Sequence, residues 1–239
     1  MPSGTSSTGK QLKNGSVPRY NAGMVQRKQK LARRLSIGEE IGNAVTHGVM
    51  AFLLLGVYPF IAVFAYLKGG WLQMSAVSIF IVSLFLMFLL STLYHAMAYD
   101  TKHKVVFRIL DHIGIYFAIA GSYTPVALVI VEGLWGNVIM IIQWSMVLIG
   151  ILYKSIAKSS IPTLSVTIYL VMGWIAILFM PVIFNVAQPM FLGLIGLGGL
   201  LYTGGVFFYG SKFPYAHFVW HLFINFAAIS HFIAIVFFL

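Results

Sequence analysis

The sequence predicts an all-α polytopic membrane protein, a bundle of seven transmembrane helices with a cytoplasmic amino terminus and an external carboxyl terminus. Three observations carry this expectation. Of the 239 residues, 60% are hydrophobic and 8% charged, far more apolar side chain than a soluble core of this size can bury, so lipid must solvate much of the surface. The apolar residues fall in runs of about 20, the length at which a helix spans a bilayer core. The Lys and Arg residues gather between those runs, on alternate connections.

Residues 1–36 are rich in Ser, Gly, Lys and Arg and show no sustained apolar period. Such a stretch cannot offset the entropy of ordering, which predicts a disordered basic cytoplasmic tail ahead of one transmembrane domain at 37–239. Spans are expected near 42–67, 71–97, 109–131, 136–153, 162–184, 190–209 and 215–239. The first run is too long for the apolar core of a signal peptide and lacks a small-x-small cleavage pattern, so it is expected to be retained. Gly69–Gly70, Glu132–Gly133, Asn185 to Pro189 and Gly210 to Pro214 punctuate the spans, and these connections are too short to hold a second domain. Pro125 and Pro181 are expected to kink their helices. The sixth span carries Gly193, Gly196, Gly198, Gly199, Gly204 and Gly205. Leu201 stands where GxGxxG needs its third glycine and no Lys-Ser/Thr follows, so these are read as small residues for close helix packing.

Orientation follows from the cations. The tail carries eight, and Lys102, Lys104, Arg108, Lys154, Lys158 and Lys212 fall on connections of the same side, leaving Lys68 alone on the other. Cations are retained on the cytoplasmic side of short loops, and an odd number of spans then puts the carboxyl terminus outside. The formal charge of +10 is therefore a topology signal, and no nucleic-acid partner is expected. The chain has no cysteine, which excludes disulfides and thiolate metal sites and leaves His and carboxylates as the available ligands.

Ionisable groups inside spans are expensive and usually face a bundle interior. Glu40, Asn43 and His47 share one face at the cytoplasmic entrance of the first span. Ser91 and His95 share a face at the exit of the second, Asp111 lies at the start of the third, and His217 and His221 lie in the first turns of the seventh. With the orientation above, these groups from four helices fall at nearly one depth in the inner leaflet. Two His residues one turn apart can present both imidazoles to one metal ion, and a third from another helix completes a site with one open position. His95, His217 and His221 supply that set. Zinc suits three imidazoles, although imidazole alone also serves iron, nickel and copper. Asp111 would orient or deprotonate a water at the site, and Ser91 would hydrogen-bond in the same group. Phe218 stands where HExxH has its glutamate, so the motif is not that of the zincins. The competing reading is that His217 and His221 serve only interhelical hydrogen bonds. His112 points away from Asp111 and is read as packing or interfacial, His103 as a solvated loop residue, and His231 as too distant along its helix to reach the same ion. Glu40 and His47 are read as capping or clamping the first helix rather than binding metal.

The ordered set Glu40-Ile-Gly-Asn43-Ala-Val-Thr46-His47, Ser91-x-x-x-His95, Asp111 followed by Gly121-Ser122-x-x-Pro125, and His217-x-x-x-His221 with His231 beyond resembles the hemolysin III family. That family is the bacterial branch of the progestin and adipoQ receptor group, within the alkaline ceramidase-like membrane hydrolases. The resemblance covers roughly residues 36–239. It implies a seven-helix bundle with a cytoplasmic amino terminus, a zinc ion held by His95, His217 and His221, Asp111 and Ser91 beside it, and a structural or gating role for the Glu40 to His47 motif.

Residues and resemblance together lead to an expected zinc-dependent hydrolase of the plasma membrane, acting on a lipid amide or ester at the cytoplasmic leaflet, with membrane lipids as partners. The alternatives are a membrane-perturbing, pore-forming hemolysin and a sensor of lipid state with structural zinc.

Overall fold

A computed structural model describes residues 34–156 and 161–239. The expected disordered tail up to residue 33, and Lys158, lie outside the described residues. The described elements are all helical, in the order α1 (Ile37–Ala96), α2 (Lys102–Pro125) with a π-helical turn (Val126–Val131), α3 (Gly133–Ile156), α4 (Pro162–Trp174) with a 3-10 turn (Ile175–Phe179), α5 (Met180–Val186), α6 (Pro189–Gly210) and α7 (Ala216–Phe237). Among the described residues six segments are long and apolar enough to cross a membrane, α4 and α5 counting as one. Large apolar side chains cover the outside, Phe52 and Phe60 being 76% and 75% exposed. An aqueous surface would not tolerate such a continuous apolar girdle.

α1 is 60 residues long, about 90 Å if straight, three times the hydrocarbon thickness of a bilayer. It is not straight. Gly69 (φ −149°, ψ 22°) and Gly70 (φ 67°, ψ −157°) leave helical geometry, and Gly70 takes a left-handed φ that costs a glycine nothing. The limbs 37–68 and 71–96 fold back on each other, so that Glu40 and His95 touch although 55 positions apart. A continuous helix would hold them roughly 80 Å apart.

The helix starts are earlier than apolar runs suggest, because polar caps set them. Ser36 accepts a hydrogen bond from the Glu39 backbone N–H, and the Glu39 carboxylate accepts one from the Ser36 N–H. This reciprocal box begins α1 at Ile37 instead of 42. Thr101 caps α2 through the Lys104 N–H at 3.1 Å, so α2 begins at Lys102 instead of 109 and Lys104 and Asp111 both ride on the helix. His103, expected in a loop, is an exposed residue of α2. Pro125 ends α2 and hands over to the π-helical turn. The break expected near Pro181 is spread over the 3-10 turn before α5.

α1 packs most extensively on α2, and α6 on α7. Glycines set the first seam. A Cβ on Gly114 would come within 3.0 Å of Met87 Cα, and one on Gly121 within 2.4 Å of Ser83 Cβ. In α6, Gly198 and Gly205 meet His231 and Phe223 of α7 closely, whereas Gly193 and Gly196 face open space. Phe80, Phe88, Phe191 and Ile235 fill the core between these pairs. The packing gathers the start of α1, the end of its second limb, the first turns of α2 and the start of α7 at one end of the bundle. At the other end Lys68 Nζ donates to the Leu239 and Phe237 carbonyl oxygens at 2.6 and 3.2 Å.

Candidate metal centre

α7 starts without a side-chain cap, at Tyr215 in left-handed geometry (φ 60°), and its first turns present His217 and His221 on one face. Their Nε2 atoms are 3.3 Å apart. The second limb of α1 brings in His95, whose ring centroid lies 5.4 Å from that of His217 and 4.8 Å from that of His221. One ligand nitrogen from each of the three rings falls within 4.8 Å of the others. The three expected ligands therefore converge.

Whether they fit a metal is answered by their free atoms. His95 Nδ1 is engaged by the Glu40 carboxylate at 2.6 Å. A carboxylate only accepts, so Nδ1 carries the proton and Nε2 keeps its lone pair. That Nε2 is buried and has no hydrogen-bond partner. A tetrahedral ion with ligand bonds of about 2.0–2.1 Å sets neighbouring nitrogens about 3.3 Å apart, which matches the His217–His221 pair. The donor set is all imidazole, so it fits zinc and the neighbouring first-row ions that imidazole serves.

Glu40 is the main departure from the sequence reading. It does not merely clamp the first helix. Its Oε2 accepts from His95, while Oε1 accepts from Lys104 Nζ at 2.9 Å and from the Tyr99 hydroxyl. Lys104 also lies 4.5 and 4.6 Å from the Tyr94 and Tyr99 ring centroids. Lys104, expected as a loop cation, is thus buried in the wall of the site. Outside the spans, burial and the Glu40 hydrogen bond push the Tyr99 phenol above its ordinary value, keeping it a donor. No periodicity marks Lys104 or Tyr99, since their partner lies some 60 positions away and only the fold-back of α1 joins them.

His47 also lies nearer than expected. Its ring stacks on His221 at 3.9 Å between centroids and 24° between planes, with Phe88 edge-on at 4.9 Å. Imidazole lone pairs lie in the ring plane, so two nearly parallel stacked rings cannot both point at one ion. His47 neighbours the centre without joining it.

Asp111 and Ser91 sit together. Ser91, His95, Lys154 and Lys104 all lie close enough to the Asp111 carboxylate to act on it electrostatically. Lys154, another expected loop cation, is buried in the last turn of α3 with its Nζ 2.7 Å from Ser165 Oγ. From this pair a cavity of about 310 Å³ opens, lined by His47, Ser91, Asp111 and His112 and otherwise largely by apolar side chains. Asp111 of α2 and Val126 at the start of the π-helical turn both line it, so it extends about 22 Å along this segment. His112, read from sequence as packing, is part of this lining. His231 lines the cavity too, with its Nε2 3.2 Å from the Ile195 carbonyl oxygen, and takes no part in the three-His group.

Comparison with known proteins matches residues 35–232 to the family described as haemolysin-III related. The chain is 36% identical over 204 residues to "Hemolysin-3 homolog" of Bacillus subtilis, covering 85% of this chain and 95% of that protein. It is 34% identical over 189 residues to "Hemolysin-3" of Bacillus cereus, covering 79% and 86%. It is also 29% identical over 203 residues to human "Monocyte to macrophage differentiation factor", covering 82% and 83%.

Proposed function

The chain belongs to the haemolysin-III-related family, and from that premise and the site geometry we propose that it is a zinc-dependent hydrolase cleaving an amide or ester of a lipid. The observation that carries the proposal is the meeting of three imidazoles, two buried and one half-buried, near Asp111 and Ser91 at one end of a largely apolar cavity. A purely structural zinc is usually held by four protein ligands, whereas three leave a position open. The cavity suits an acyl chain, because its length and apolar lining would bury a single tail while the polar end meets the site.

His95, His217 and His221 would hold the ion. Zinc in such a site supplies Lewis acidity toward a carbonyl and makes water acidic enough to react near neutral pH. Asp111 takes up a water proton on its carboxylate as the water oxygen bonds to the lipid carbonyl carbon, and gives that proton to the leaving nitrogen or oxygen as the C–N or C–O bond breaks. The Ser91 hydroxyl keeps that carboxylate in place, and Glu40 keeps the His95 ring in the tautomer with a free Nε2. The largely apolar cavity wall leaves few other polar groups beside a lipid carbonyl.

The topology that accompanies this reading counts the two limbs of α1 as separate crossings, making seven. The cation-rich connections and the metal centre then lie on the cytoplasmic side of the plasma membrane, and Lys68 and the carboxyl terminus outside. The distribution of Lys and Arg supports this orientation.

The test is turnover of labelled long-chain lipid amides and esters by purified protein. Activity should be present in the zinc-loaded wild type and absent after chelation and in Asp111→Asn; equal turnover in all three removes the hydrolytic proposal. The names of the Bacillus relatives favour a second reading, cytolysis. If His95→Ala loses metal but retains haemolysis, lysis is independent of the centre.

A further inference from the structure

The half of the cavity away from the metal centre has polar side chains in its wall, and most of them are spent on the protein itself. The Ser122 and Thr203 hydroxyls donate to the Ile119 and Gly199 carbonyl oxygens, the Tyr123 hydroxyl to that of Gly173, and the Trp174 indole N–H to Thr203. Tyr202 of α6 and His231 of α7 differ. Both are half-buried and line the cavity, and their rings meet edge to face with centroids 5.5 Å apart. His231 lies about 15 Å beyond His221 along α7. Its Nε2 is 3.2 Å from the Ile195 carbonyl oxygen. A carbonyl only accepts, so Nε2 carries the proton and Nδ1 keeps a bare lone pair. Among the described residues neither that Nδ1 nor the Tyr202 hydroxyl has a hydrogen-bond partner, and neither is one of the polar atoms sealed inside the bundle.

An interhelical clamp does not account for this histidine. The adjacent Ser230 already ties α7 to α6 through the Leu194 carbonyl at 2.7 Å, with a far smaller side chain, and an imidazole in the hydrocarbon layer is expensive. α6 makes room for the ring with a glycine, since a Cβ on Gly198 would lie 2.2 Å from His231 Cδ2.

We infer that Tyr202 and His231 form a second polar subsite, part-way along the cavity, that reads a hydroxyl group carried on the acyl chain of the lipid. This rests on the lipid reading above and adds a specificity determinant remote from the metal centre. A hydroxyl both donates and accepts. It gives its hydrogen to His231 Nδ1 and accepts that of the Tyr202 phenol, the two complementary roles left open here. A methylene offers neither, and a keto oxygen, which only accepts, leaves Nδ1 unmatched. Ile195 and the Gly198 gap fix the His231 ring before a ligand arrives, so little ordering is required on binding.

The test uses zinc-loaded full-length protein in nanodiscs and three N-acyl amides of one chain length. One is unsubstituted, one is hydroxylated near mid-chain at the carbon that reaches His231, and one is hydroxylated close to the methyl end. Affinity, by competition with a fluorescent acyl probe, and turnover are measured separately for wild type, Tyr202→Phe and His231→Leu. A buried hydroxyl without a partner is costly, so wild type should bind the mid-chain isomer about tenfold more tightly than the methyl-end isomer. Tyr202→Phe deletes one oxygen and keeps the ring contact. It should erase most of that preference while the unsubstituted amide binds at wild-type level. His231→Leu should do the same with metal content unchanged; if it does not fold, Tyr202→Phe decides alone. Equal binding of the two isomers by wild type overturns the inference, as does an undiminished preference in Tyr202→Phe. Turnover without any preference between isomers removes this subsite and leaves the hydrolase standing, whereas preference without turnover does the reverse.

Discussion

Replacing Glu40 with Gln should weaken metal binding through a proton on His95. Glutamine keeps the shape of glutamate but turns one acceptor oxygen into a donating NH2. The Oε1 position is held by two donors, Lys104 Nζ at 2.9 Å and the Tyr99 hydroxyl, so the amide oxygen must occupy it. The NH2 then faces His95 Nδ1, 2.6 Å from the present Oε2. His95 can avoid a clash of donors only by accepting at Nδ1 and moving its proton to Nε2, the buried atom without a partner. A protonated Nε2 cannot ligate an ion. Loss of the carboxylate that orients a metal-binding His typically costs 10–100-fold in metal affinity, or about 1.4–2.7 kcal/mol. Lys104 loses its carboxylate but keeps the amide oxygen and two aromatic faces, so the fold should lose less than the roughly 3–5 kcal/mol of a fully abandoned buried charge. The assay is chelator competition for zinc, followed by elemental analysis, on wild type, Glu40→Gln and Glu39→Gln. Glu39 serves the α1 cap rather than the imidazoles. Wild-type zinc affinity in Glu40→Gln would refute the tautomer argument.

His217→Ala should abolish stoichiometric metal in elemental analysis, whereas His231→Ala, ten residues and about 15 Å beyond His221, should retain it. Gly121→Ala should destabilise the α1–α2 seam by about 1–3 kcal/mol, read as a lower Tm, because the new methyl would lie 2.4 Å from Ser83 Cβ. The Tyr99 phenol holds its proton beyond the ordinary value of 10.0 in the folded state. Above pH 10 the unfolded chain releases that proton first, so stability is full below 10 and declines as pH rises past it; Tyr99→Phe should lessen the decline in alkaline thermal melts. The chain has no cysteine, so single replacements report topology cleanly. In intact cells Lys68→Cys should react with an impermeant thiol reagent and Lys102→Cys should not; the reverse pattern would invert the proposed orientation.

Composition and run length alone determined that this chain is a helical membrane protein, because lipid is the only solvent for so much apolar surface, and in lipid a helix satisfies its own backbone. The i, i+4 spacing of His217 and His221 placed two imidazoles on one face, a consequence of helical geometry that needs no tertiary contact. The family motif singled out His95, Ser91 and Asp111 for the same reason, each lying at a readable position on its own helix. The partners of Glu40 were beyond reach. They depend on the reversal at Gly69–Gly70, on polar caps that start α1 and α2 several residues before their apolar runs, and on which rotamers bring Lys104 and Tyr99 onto one oxygen. The same holds for the stack of His47 on His221 and for the cavity that begins beside Asp111. Periodicity along one helix reports which residues share a face, but contacts between faces are set by how close glycines such as Gly114 and Gly121 let two helices approach, and that distance exists only in the folded bundle.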